Sequence, residues 1–134
     1  MIHLTISRIA IWLLAVVMII FGVIHFTSPN QMLNYVPLYL PNGIMWVYFV
    51  GIAFILAALA FLTNRFISIA GYMLGALLIT FVLLIHIPNH LHTGDPALRQ
   101  LALINALKDI AIAGFSIYIA SIARHQRLTE SEKK

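Results

Sequence analysis

Four apolar stretches, at 9–26, 43–62, 66–86 and 100–123, dominate this chain of 134 residues. Each has the length, about 20 residues, that a helix needs to cross the hydrocarbon of a bilayer. Lipid offers backbone groups no partners, so each stretch must close its own hydrogen bonds as a helix. Composition agrees. The chain is 62% hydrophobic and 9% charged, and its mean hydropathy is +0.98. A soluble domain of these proportions would lack the polar surface to stay in water. The expectation is an all-α integral membrane four-helix bundle: one domain over residues 1–123, then a charged cytoplasmic tail over 124–134.

The first stretch reads as a retained span. A secretory signal has a shorter core and a small-x-small cleavage site, whereas this one ends in Ile24-His25-Phe26-Thr27-Ser28-Pro29. Met1 to Ser7, before it, is uncommitted. Residues 27–42 form the first loop, with Pro29, Pro37 and Pro41 against one continuous helix. The loop is apolar and uncharged, and it reads as a lid over the helix ends or a mobile gate at the membrane surface. Trp46 and Tyr48 open the second span, where an aromatic belt belongs. Thr63, Asn64 and Arg65 make a tight turn, so the second and third spans are expected to be antiparallel neighbours. Gly71 and Gly75 in the third have GxxxG spacing, read here as packing within the bundle. Residues 87–97 are expected to be the second substantial loop.

Orientation follows from the basic residues. Arg8, Arg65, Arg124, Arg127, Lys133 and Lys134 fall on one side, and only Arg99 flanks a span on the other. The positive-inside rule then puts both termini in the cytoplasm and the Pro-rich loop outside. The net charge of +4 is thereby explained by topology. No basic patch interleaved with aromatics points to nucleic acid. With no cysteine in the chain, thiolate nucleophiles, disulfide exchange and thiolate-bound metal are excluded.

Against this apolar background the last span holds Asn105, Lys108 and Asp109. A charge within a membrane helix costs on the order of 2.5–3.5 kcal/mol on insertion scales, so its retention calls for a reason. Measured from Arg99, Lys108 is only about 13 Å along the helix, in the outer half. Spacings of three and four put the three residues on one broad face, which Ser116 extends. His25 ends the first span and His86 the third at the same level. Together with Trp46 and Tyr48 they outline an outward-facing pocket under the Pro-rich loop. Lys108 and Asp109 are neighbours in sequence and point about 100° apart on a helix, so each is expected to find another partner. For Asp109 that is His25 or His86. For Lys108 it is a loop carbonyl, a tyrosine hydroxyl or a bound anion. The alternative to a ligand site is a polar clasp that fixes helix packing.

His86, His90 and His92 invite a zinc reading, but Pro88 interrupts regular helical spacing and no cysteine assists, so metal is disfavoured. Haem between His25 and His86 is weaker still. The plainer reading has these histidines capping helix ends or bonding loop backbone, with His3 and His125 as terminal surface residues. An echo of Ile24-His25 with Pro29-Asn30 in Ile85-His86 with Pro88-Asn89 would fit a parallel repeat of two hairpins, or coincidence.

The segments FGVIHF, VPLYLPNGIMWVYFVGIAFILAALAFL, HIPNHL and NALKDIAIAG, in that order over residues 8–123, resemble the DoxX/DoxD-like small membrane proteins. The resemblance implies a compact four-helix bundle in a prokaryotic cytoplasmic membrane. It implies kinship with subunits of quinone-linked sulfur oxidoreductases, oxidative-stress complexes and assembly helpers. It carries over to His25, Lys108 and Asp109. Many members have an acidic residue early in the second helix, where this chain has Phe54. Three functions follow as expectations. One is a site for a quinone or lipid, serving a redox-linked complex. Another is a non-enzymatic accessory subunit or assembly factor. The third is a transporter or proton pathway, disfavoured by the apolar inner halves of the spans. The bilayer is the expected partner; a membrane or redox protein and a second copy of the chain stay open, as does catalysis.

Overall fold

The computed structural model describes the backbone of residues 2–131 and the side chains of residues 6–125. It is helical, and no strand occurs among the described residues. The elements are α1 (Ile2–Thr27), α2 (Pro29–Leu33), α3 (Gly43–Thr63), α4 (Ile67–Phe81), a π-helical turn (Val82–His86), α5 (Ile87–His92) and α6 (Pro96–Ser131). Four segments are long and apolar enough to span a membrane: Ile6–Thr27, Gly43–Thr63, Ile67–His92 and Pro96–His125.

The spans run further than the sequence suggested, for local reasons. Helix α1 begins at Ile2, so the first residues are not a separate segment. The third span does not stop at His86. Pro88 has no N–H, and its ring crowds the carbonyl four residues back. The chain accommodates this by widening into the π turn, where the Ile87 N–H reaches the Val82 carbonyl. Pro88 then sits in the first turn of α5, where a missing N–H costs little. The stretch read as a loop over 87–97 is therefore mostly helix. Asp95 accepts from the Ala97 N–H at 2.8 Å, capping α6 ahead of Pro96 and placing a negative charge at its positive end. At the far end α6 continues to Ser131, so the charged tail is helical over that range. Residues 132–134 and the His3 side chain lie outside the described residues.

Packing follows small residues. Helix α1 lies along α3, and α4 along α6. A Cβ on Gly22 would meet Ile55 at 2.6 Å, and one on Gly51 would meet the His25 Cβ at 2.9 Å. On the other pair, a Cβ on Gly71 would meet the Ser116 carbonyl at 2.6 Å, and one on Gly75 would meet Ile117 at 2.7 Å. The Gly71–Gly75 spacing thus serves packing inside the bundle. The α3–α4 turn closes through Asn64 (φ 57°) and Phe66 (φ 56°), both left-handed. Asn tolerates that conformation; Phe does so under strain. The core gathers Met18, Phe54, Ala58, Phe61, Leu74, Leu78 and Ala113.

Replacing Gly71 by Val should force α4 from α6, since the obstacle is backbone. The expected loss is about 1–3 kcal/mol, read as a lower midpoint of detergent-induced unfolding. Ala at Gly114, where nothing lies within 4 Å, should leave the midpoint no lower and raise it slightly, since Gly in a helix interior costs about 0.5–1 kcal/mol relative to Ala.

Candidate functional site

Where α1, α3, α4 and α6 approach the 28–42 loop they enclose a cavity of about 550 Å³. Its floor is Met18, Phe54 and Ile112, and its roof includes Met32, Tyr35 and Val36 of the loop. The Pro-rich segment is held as a roof by short turns. The Tyr35 N–H reaches the Met32 carbonyl, the Val36 N–H that of Leu33, and the Leu40 N–H that of Pro37, each at 3.0 Å. The Trp46 Nε1–H donates to the Pro41 carbonyl at 3.1 Å, tying the loop to the start of α3.

Most of the lining is apolar, and the ionisable groups stand together. On α4 and the π turn, Leu78, Val82 and His86 form one buried stripe that carries the imidazole into the bundle. Its Nε2 lies 3.0 Å from Asp109 Oδ2. The other carboxylate oxygen, Oδ1, is 3.6 Å from Lys108 Nζ. Lys108 also donates to Asn105 Oδ1 at 3.3 Å and lies over the Phe21 ring, 4.8 Å from its centre. The cation on Phe21 spans the gap between α6 and α1. Asp109 is buried, and the Lys108 side chain is 39% exposed. The buried carboxyl group is thereby paired on one oxygen with the His86 imidazole and on the other with the Lys108 amine. That is the condition under which such a cluster survives in a low-dielectric setting.

His25 also lines the cavity but joins a different bond. Its Nδ1–H donates to the Phe21 carbonyl one turn back, at 2.7 Å. The neutral ring then leaves Nε2 as an acceptor. The ring stands edge-on to Phe54, 5.4 Å between centres. Phe54 is thus packed by His25, Phe21 and Phe81.

The residues singled out from sequence mostly meet here. His25, Trp46, His86, Asn105, Lys108 and Asp109 all line the cavity. Tyr48 does not; its ring stacks on Phe26 at 5.8 Å. Residues two apart on a helix point about 200° apart, so Trp46 and Tyr48 do not share a face. Of the two partners expected for Asp109, His86 is the one in place. For Lys108, neither of the two protein partners expected is the one observed. Its long side chain folds back onto its own neighbours, Asn105 and Asp109, rather than reaching a loop carbonyl or tyrosine. Ser116 is fully buried but belongs to the α4–α6 seam, where its hydroxyl has no hydrogen-bond partner. His90 donates to the Arg99 carbonyl at 2.9 Å and His92 to that of Pro88 at 2.8 Å. Among the described residues no three His, Cys, Asp or Glu side chains come together as a metal site. Phe21, Phe54 and Phe81 were not foreseen as site residues, because a phenylalanine in an apolar span carries no distinguishing signal.

A family model described as a domain of unknown function, DUF8561, matches residues 14–113. The chain belongs to that family. Every polar cavity residue named above falls within the match, so the DUF8561 region contains the whole cluster. No curated protein and no solved structure matches the chain.

If the cluster is coupled as its distances indicate, His86→Ala and Asp109→Ala should each destabilise the protein and together cost less than their sum. A double-mutant cycle should give a coupling of about 1–2 kcal/mol. Additive effects would mean that the two side chains do not interact.

Proposed function

We propose that this DUF8561 protein is a DoxX-like integral membrane protein that binds an amphipathic small molecule, a quinone or a lipid, in the cavity under the Pro-rich loop. It would serve a redox-linked complex of a prokaryotic cytoplasmic membrane. The distribution of basic residues supports an orientation with both termini cytoplasmic and the cavity in the outer half of the bundle.

One observation carries this reading: a cavity of about 550 Å³ whose ionisable residues are grouped and whose remaining lining is mostly apolar. That volume lies within the range of about 300–1,000 Å³ usual for small-molecule sites, which pair apolar walls with a few placed polar groups. Lys108 is the donor best suited to a ligand carbonyl or phosphate, because it is a cation and more exposed than His86 or Asp109. His25 Nε2 supplies an acceptor for a hydroxyl. Asn105 and Asp109 hold Lys108 in place, and His86 fixes the other oxygen of Asp109. With a quinone, the electrons for turnover would come from a partner protein, since these side chains can move protons but not electrons.

A second reading, an accessory subunit or assembly factor, draws on a different surface. Gly114 is exposed on α6 with nothing within 4 Å of a Cβ built there, a notch where another membrane helix could approach. Recovery of one stoichiometric membrane partner, lost on Gly114→Leu, would favour it.

The ligand reading predicts that Lys108→Met and Asp109→Asn weaken binding of a short-chain benzoquinone or of an anionic phospholipid by about ten-fold or more. Binding is measured on full-length protein in nanodiscs, at a temperature at which each variant is folded. Unaltered binding of both probes by both variants would leave the cluster a packing clasp.

A further inference from the structure

The cavity wall is not equally closed on all sides. Every lining residue from α1 (Met18, Phe21, Ile24, His25) and from α6 (Asn105, Lys108, Asp109, Ile112) is buried or half-buried. The exposed lining residues lie elsewhere. Below the loop they are Trp46 and Phe49 on α3, Thr80 on α4 and Leu84 on the π turn, with Phe49 56% and Leu84 52% exposed. A residue that lines a cavity and also meets the outside marks its mouth. The cavity thus meets the outside in two places, at Tyr35 and Tyr39 of the loop and sideways, between α3 and the upper part of α4. Thr80 lies near the middle of the Ile67–His92 span, the part of such a helix that a bilayer's hydrocarbon covers.

The chemistry of the sideways opening fits that depth. The Thr80 hydroxyl donates to the Ala76 carbonyl at 2.8 Å, and the Trp46 Nε1–H to that of Pro41 at 3.1 Å. Neither polar atom has its hydrogen free, so the opening presents methyls and ring faces. Opposite it stand buried Asp109 and half-buried Asn105 and Lys108.

We propose that the opening between α3 and α4, framed by Trp46, Phe49, Thr80 and Leu84, is a lateral portal that holds the hydrocarbon tail of the ligand and admits it from the bilayer. The inference rests on the amphiphile reading of the cavity and adds the ligand's class and pose. The ligand carries a long apolar tail. Its polar head meets the α1–α6 wall, and its tail crosses the portal into lipid. A short, water-soluble ligand descending through the loop would need no opening of this kind.

The test uses full-length protein in nanodiscs and two photoreactive probes. One has a benzoquinone head on a decyl tail with a terminal diazirine; the other is a phospholipid with a terminal diazirine on one acyl chain. Labelling that is abolished by excess unlabelled probe should map to Trp46, Phe49, Thr80 or Leu84, and the head group that achieves it identifies the source. Competable labelling confined to the 34–41 loop or to the outer faces of α1 and α6 would overturn the portal while leaving the amphiphile reading intact. If neither probe gives competable labelling of any cavity residue, both fail. As a second measurement, Thr80→Trp and Leu84→Trp should slow loading of the effective tailed probe by about ten-fold or more. Affinity for the same head without its tail (dimethoxybenzoquinone or glycerophosphoethanolamine) should not change. Equal effects on tailed and tail-less probes, whether none or a loss, would overturn the portal.

Discussion

Burial of Asp109 is the constraint from which the rest of this structure follows. A lone carboxylate at that depth would be desolvated without compensation. Here one oxygen meets His86 Nε2 at 3.0 Å and the other faces Lys108 Nζ at 3.6 Å. Satisfying it requires that α4 and α6 lie close enough for the imidazole to reach. Gly71 and Gly75 permit that approach by removing the side chains that would hold the helices apart. It also requires that the third span continue past His86, which the π turn allows. The charge of Lys108, stabilised by Asp109 and Asn105, can then rest against Phe21 of α1 and close the bundle on that side.

The same arrangement gives the cavity its asymmetry. Two tightly packed pairs, α1 with α3 and α4 with α6, leave space between them toward the loop end. Polar, mostly buried side chains line one side of that space, and the other is bounded by Trp46, Phe49, Thr80 and Leu84, which also meet the surroundings. A cluster serving packing alone would have no need of a cavity beside it. The coincidence of a hydrogen-bonding group, an apolar chamber and a roof of prolines and tyrosines is what favours a ligand.

Much of this was legible in the residues themselves. Four spans followed from length and hydropathy, and topology with the penalty for a buried charge narrowed the partner of Asp109 to His25 or His86, of which the fold brings His86 within reach. Other features were hidden for physical reasons. Pro88 reads as a helix terminator because an ordinary α-turn cannot hold it there; only a widened turn can, and nothing in composition announces one. Lys108 was assigned a distant partner because adjacent helical residues diverge, yet a four-carbon stem is long enough to curl back. Tyr48 was grouped with Trp46 by position along the chain, although helical geometry separates them. The lateral opening depends on where α3 and α4 part, and no local sequence pattern encodes that.

The central claim is that the cavity is built to hold an amphiphile. Native mass spectrometry of the protein released gently from its own membrane tests it most directly. A bundle organised around a ligand should carry one defined quinone or lipid per chain, retained at collision energies that strip bulk lipid. A chain that emerges at its bare polypeptide mass under those conditions would contradict the claim and reduce His86, Lys108 and Asp109 to a device for holding helices together.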